Sequence, residues 1–244
     1  MDISTNGGAA AYDKYAAALY GYCHWMLGQP AGAGEALRDT FVIAAAAENL
    51  PEPAEVRPWL YSVARRECLR RRRTAPAASP PEAGEGELRT LIDTVLAGLK
   101  PRERELIELQ FQHDLHDADL AIALGVSWGR AHALAARSRS RLEQALDALL
   151  TARTGREARG PLRPEALSGV LPLAPLPPEL KEQVLRACSA PVSEVAADRR
   201  RVAGRRWRSI YRPRRPATIT MVFTGWVAVV WVIAAVLFIF AGVR

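Results

Sequence analysis

The chain has 244 residues, 49% of them apolar, and a formal net charge of +7. That length holds one or two small domains with accessory segments, and the positive balance points to an anionic partner, nucleic acid or lipid. Long runs of Val, Ile, Thr and Tyr occur only near the C-terminus, which argues against a sheet-based fold and predicts an all-α protein.

Residues 1–10 read as a loose tail. Met1 to Gly8 is polar and lacks Lys and Arg, so no signal peptide is expected there. From Ala11 to Leu27 the residues Tyr15, Leu19, Tyr22, Cys23 and Met26 recur at helical spacing. Gly28 and Pro30 end that helix. A second is expected from about Ala33 to Asn49, with Leu37, Phe41, Ala44 and Ala45 on one face, until Pro51 and Pro53 break it. A third starts near Val56, with Pro58 in its first turn where a missing N–H costs nothing. Its apolar stripe is Trp59, Leu60, Val63 and Ala64, and Arg65, Arg66 and Arg70 to Arg73 line its other side and its end. These three helices predict one small bundle over residues 11–73.

Residues 74–87, TAPAASPPEAGEGE, have no apolar period and read as a flexible linker. Helical pattern returns at Leu88 with Leu91, Ile92, Val95, Leu96 and Leu99, and Pro101 opens the next helix. Leu120, Ala121 and Leu124 then face one side of a short helix that stops at Gly125, where a left-handed residue is cheap. The Ser127 hydroxyl is placed to cap the helix that follows. Helix, tight turn and capped helix together are a helix-turn-helix pattern, which completes a second module over residues 88–150. The second of these helices carries Arg130, His132, Arg137, Arg139 and Arg141. Cations there suit the phosphates and base edges of a DNA major groove, with Arg130 in the first turn best placed for a base. The alternative is a solvated basic face on an ordinary helical hairpin.

After Leu150 the composition changes. Residues 151–216 read as a proline-rich and Arg-rich cytoplasmic tether. Within it, Pro178 to Cys188 fits one short amphipathic helix with Leu180, Val184 and Leu185 inward. That helix either docks on the modules or on a partner as a built-in inhibitor, or is part of a plain tether. Residues 217–243 contain no charge and are long enough to cross a bilayer core of about 30 Å as one helix. Nine arginines lie between Arg199 and Arg215, with Arg212, Arg214 and Arg215 nearest the apolar run, and only Arg244 follows it. The Arg-rich side is expected to stay cytoplasmic and to meet anionic lipid heads. The expected location is therefore the inner membrane, single-pass, with the N-terminal modules in the cytoplasm.

Cys23, Cys68 and Cys188 stand far apart with no CxxC spacing, so a reducing compartment and no metal site are expected. The four histidines are scattered and no acid pair has a visible partner. Neither a catalytic constellation nor a cofactor site is read, and no enzyme is expected.

Three segments in this order resemble an extracytoplasmic-function (ECF) sigma factor of bacterial RNA polymerase: LRDTFVIAAA from Leu37, RPWLYSVARRECLRRRR from Arg57 and LAGLKPRERELIELQFQHDL from Leu96. The resemblance covers residues 12–148 and implies a region 2-like bundle and a region 4-like helix-turn-helix domain. It assigns polymerase binding to Arg38, Asp39, Thr40 and Phe41. It assigns reading and opening of the −10 promoter element to Arg57, Trp59, Arg65, Arg66 and Arg70, with Trp59 alternatively a core anchor. The −35 element would be read by the helix from Ser127, through Arg130, His132, Arg137, Arg139 and Arg141. The implied partners are polymerase core, promoter DNA and membrane lipid, with an anti-sigma factor or a protease as regulator. His132 and Leu134 stand where a Lys and an Arg are usual. They carry the alternative, a degenerate sigma-like membrane protein that binds a regulatory partner without initiating transcription. A third reading is a membrane-bound regulator that binds duplex DNA without polymerase.

Overall fold

A computed structural model describes residues 6–47, 51–72, 87–154 and 173–189, all within one compact unit of the chain. These residues are helical, with no strand among them. Helix α1 spans Asn6–Leu27, α2 Pro30–Ala45 and α3 Val56–Arg72. Gly28 closes α1 in the left-handed conformation, φ 68°, with its N–H on the His24 carbonyl at 2.7 Å. Helix α2 begins three residues earlier than its apolar period suggests. Pro30 is the reason, since its fixed φ suits the first helical turn.

The three helices close on Leu19, Tyr22, Leu37, Phe41, Leu60 and Val63, all buried. Each such side chain contributes about 1.5–3 kcal/mol when it leaves water. The rings of Tyr12 and Phe41 lie 5.3 Å apart between α1 and α2. Thr40 is fully buried, and its hydroxyl donates to the Ala36 carbonyl one turn back at 2.7 Å. The helix thereby satisfies that polar group itself.

Helix α4 (Glu87–Gly98) and α5 (Pro101–Ile107) follow. The Glu103 carboxylate accepts the Lys100 N–H at 3.2 Å and so closes the start of α5. From Glu108 to Gln112 the chain widens into one π-helical turn. Helix α6 (Asp117–Leu124) ends at Gly125, φ 64°, and the Val126 N–H reaches the Ala121 carbonyl at 3.0 Å. That is the sharp turn expected from glycine there. Helix α7 (Trp128–Thr154) completes the helix-turn-helix. Val95, Leu99, Ile107 and Leu142 form the core that joins α4, α5 and α7. The last described element is α8, Leu180–Ser189.

Helices on the two sides of residues 74–87 pack on one another, α3 against α6, and α8 lies on α2. Among the described residues no helix is long and apolar enough to cross a membrane. The uncharged stretch 217–243 and the flanking Arg212, Arg214 and Arg215 lie outside the described residues, as does most of the expected linker.

Candidate nucleic-acid interface

Two arginine-rich helices are candidates, α3 and α7, and their side chains meet different surroundings. On α3, Arg65 grips Glu105 of α5, Nε to Oε1 at 2.5 Å and Nη2 to Oε2 at 3.1 Å. The same carboxylate accepts the Tyr22 hydroxyl of α1 at 2.9 Å. Arg57 donates to the carbonyl of His113, and the Tyr61 hydroxyl lies 2.9 Å from His113 Nδ1. The Tyr22, Tyr61 and His113 rings pack together with centroids 5.2–5.7 Å apart. His113 is fully buried just after the π-helical turn, with Nε2 3.6 Å from Glu108.

This polar knot shifts its own protonation equilibria. Burial, then the Glu105 charge, pushes the Tyr22 hydroxyl well above its ordinary range. Burial likewise raises Tyr61. Burial alone would lower Arg65, but its hydrogen bond and ion pair with Glu105 outweigh that and raise it. The knot therefore keeps the tyrosines neutral and the guanidinium charged at neutral pH.

The residues expected at the −10 element are thus mostly engaged within the protein. Trp59 is 3% exposed, as its alternative reading as a core anchor expects. Arg57 and Arg65 bind the second module, because a half-buried guanidinium needs an acceptor close by. Arg66 donates to the Ser62 carbonyl at 3.1 Å. Arg70 reaches Glu67 at 2.8 Å and Asp39 at 3.4 Å. Arg71, not among the residues assigned to the −10 element, makes the tighter bridge to Asp39 at 2.6 Å. Burial works against the Arg71 charge, but Asp39 and Glu67 together hold it above its ordinary range.

Of the four residues expected to meet polymerase, Thr40 and Phe41 are buried and shape α2 from inside. Asp39 is clasped by Arg71 and Arg38, and Arg38 remains 45% exposed at the surface.

On α7 the cations face outward. Arg130, Arg137 and Arg139 are exposed and bridge to no carboxylate of the described residues. Arg141 differs: it bridges Glu103 of α5 at 2.6 Å and so helps lock α7 to its neighbour. Ser127 engages the first turn through its carbonyl, which accepts the Ala131 N–H at 2.9 Å, rather than through its solvent-exposed hydroxyl. His132 Nδ1 lies 3.4 Å from Asp117, and its ring stacks on Trp128 at 5.3 Å and 16°.

Trp128 was missed by sequence reasoning. It is 57% exposed at the leading end of α7, beside Gly129, whose outward side is open space. Its only signal in the sequence was a large aromatic directly after Ser127, at the start of the helix that follows the turn. Trp128, Arg130, Arg137 and Arg139 together present one apolar plate and three exposed cations without a carboxylate among the described residues. That combination suits a groove lined by phosphates and apolar base edges.

Among the described residues, the geometry defines a class of helical protein with a three-helix bundle, a helix-turn-helix and exposed arginines on the second helix of that motif. Residues 11–76 match the family model described as Sigma-70 region 2, a segment that contains α2, α3 and all of α1 after its first five residues. The match supports a sigma-70 family sigma factor and indicates a role in transcription initiation. Region 2 in general binds RNA polymerase core and promoter DNA. No curated protein matches the chain.

Proposed function

We propose that the chain is a membrane-tethered, ECF-like sigma factor. It directs RNA polymerase to specific promoters, reads the −35 element with α7, and is held at the inner membrane by residues 217–243 until it is released. It lends recognition to polymerase and catalyses nothing itself. The carrying observation is the Sigma-70 region 2 match over residues 11–76, followed in the same chain by a helix-turn-helix whose Arg130, Arg137 and Arg139 bridge to no carboxylate among the described residues. The tether rests on the uncharged 217–243 run and the nine arginines before it.

The test mixes residues 1–150, freed of the tether, of α8 and of residues 217–243, with core polymerase from the source organism. A stable complex and selective transcription from that organism's DNA are expected. A folded fragment that forms no complex would remove this reading.

A second reading has its own support. Arg57, Arg65 and Trp59 are committed inside the protein, and His132 and Leu134 stand in the second helix of the helix-turn-helix. Both fit a sigma-like membrane protein that binds a regulatory partner, such as an anti-sigma factor, without starting transcription. Complex formation with such a partner but not with polymerase distinguishes the two.

A further inference from the structure

The segment before α8, and α8 itself, cross the first bundle at two glycines. A Cβ placed at Gly21 of α1 would lie 2.7 Å from Leu173 Cδ2, and one at Gly34 of α2 would lie 3.1 Å from Leu180 Cδ2. The two leucine side chains therefore lie directly against the backbone of α1 and α2, in the space that a Cβ would need. Leu180 and Val184, one turn apart on α8, are buried there, and Lys181 pairs with Asp13 of α1 at 2.7 Å. Beside this seam lies an open cavity of about 240 Å³, bordered by Tyr20, Gly34 and Arg38 on one side and Pro177, Leu180 and Gln183 on the other. Arg38 is the most exposed of the residues expected to meet polymerase, and it stands on the rim of the surface that α8 covers.

The cover is a single short helix of ten residues, and its contacts include two buried apolar side chains and one half-exposed ion pair. A helix this short is marginal without its partner surface. A competitor for the same face can therefore displace it.

We propose that the α1/α2 face is a docking surface that the chain's own α8 and core polymerase use in turn, so that α8 must leave before polymerase binds. The inference rests on the sigma-factor reading above. It adds a cis-acting cover that leaves the helix-turn-helix untouched.

Two changes to the full chain test it by measured affinity for core polymerase. Leu180→Glu with Val184→Glu puts two carboxylates in the apolar seam and frees α8. Faster hydrogen exchange in α2 verifies the release. Gly21→Cys with Leu173→Cys, in a Cys188→Ser background, locks the segment down. The Cβ position at Gly21 is 3.4 Å from Leu173 Cβ, close to the roughly 3.5–4.5 Å a disulfide spans. The released chain is expected to bind polymerase at least tenfold tighter than wild type. The oxidised locked chain is expected to bind at least tenfold weaker than the same chain after reduction. Equal affinity in all these forms overturns the cover and leaves the sigma reading standing. No binding by any form, with α2 shown to be released, removes the sigma reading and the cover with it.

Discussion

Helix α3 carries six arginines in 17 residues and α7 five in 27, and the two sets meet opposite electrostatic fates. On α3 the guanidiniums meet Glu105, Glu67, Asp39 and the carbonyls of Ser62 and His113. On α7 only Arg141 has a carboxylate among the described residues, and Arg130, Arg137 and Arg139 point to water. A basic helix is therefore not by itself a nucleic-acid interface. What matters is which cations the fold has already neutralised, because a neutralised cation must break its internal pair before it can meet a phosphate.

The sharpest way to break the contrast is at its centre. Glu105→Ala leaves the Arg65 guanidinium and the Tyr22 hydroxyl without their shared acceptor. Losing one partner of a mostly buried pair is expected to cost about 3 kcal/mol, read as a lowered midpoint in urea unfolding. An unchanged midpoint would mean that the α3 cations are not structurally committed. Next in size is Arg130→Ala, expected to weaken binding to −35 duplex by about 1–3 kcal/mol while stability stays within about 0.5 kcal/mol of wild type. Fluorescence anisotropy and a thermal melt on the same sample separate the two.

Trp128→Ala removes the exposed plate beside Arg130. A weakening of about 1 kcal/mol in the same duplex assay is expected, with no loss of stability because Trp128 buries little. If duplex binding is unchanged, the open end of α7 does not enter a groove. The smallest expected effect is Arg141→Ala. Its bridge to Glu103 is half exposed, so a stability loss below about 1 kcal/mol is expected.

The tyrosines extend the comparison to pH. Tyr22 and Tyr61 both titrate above their ordinary value when folded, because burial opposes the charged phenolate. The folded chain therefore holds more protons than the unfolded one above about pH 10. Their contribution is fully present below that pH and falls as pH rises beyond it. Melts from pH 7 to 11 are expected to show a plateau and then a decline that Tyr22→Phe makes shallower. A decline that starts below about pH 9 would place the titrating group elsewhere.

The helices themselves were legible without the structure. Leu19, Tyr22, Cys23 and Met26 in α1, and Leu120, Ala121 and Leu124 in α6, are buried where a 3.6-residue period puts them. Gly125 turns the chain with the left-handed backbone expected of it. The Leu180 and Val184 stripe read as amphipathic before any partner surface was known. These features depend on neighbours within a turn or two of helix, and such neighbours are written side by side in the chain.

The alliances of the charged groups were not legible. Tyr22 and Glu105 are 83 residues apart, Arg57 and His113 are 56 apart, and Arg71 and Asp39 are 32 apart. Nothing local marks Glu105 as the acceptor for Arg65 or Gly34 as the seat of Leu180. By itself the sequence determined the helices, the turn at Gly125, the apolar faces and the amount of positive charge. Only the tertiary structure decided which arginines are spent inside the protein, which remain free on α7, and that α8 lies on α2. The physical reason is that periodicity acts over one or two turns, whereas charge pairing and close packing depend on distance in space, which chain order does not encode.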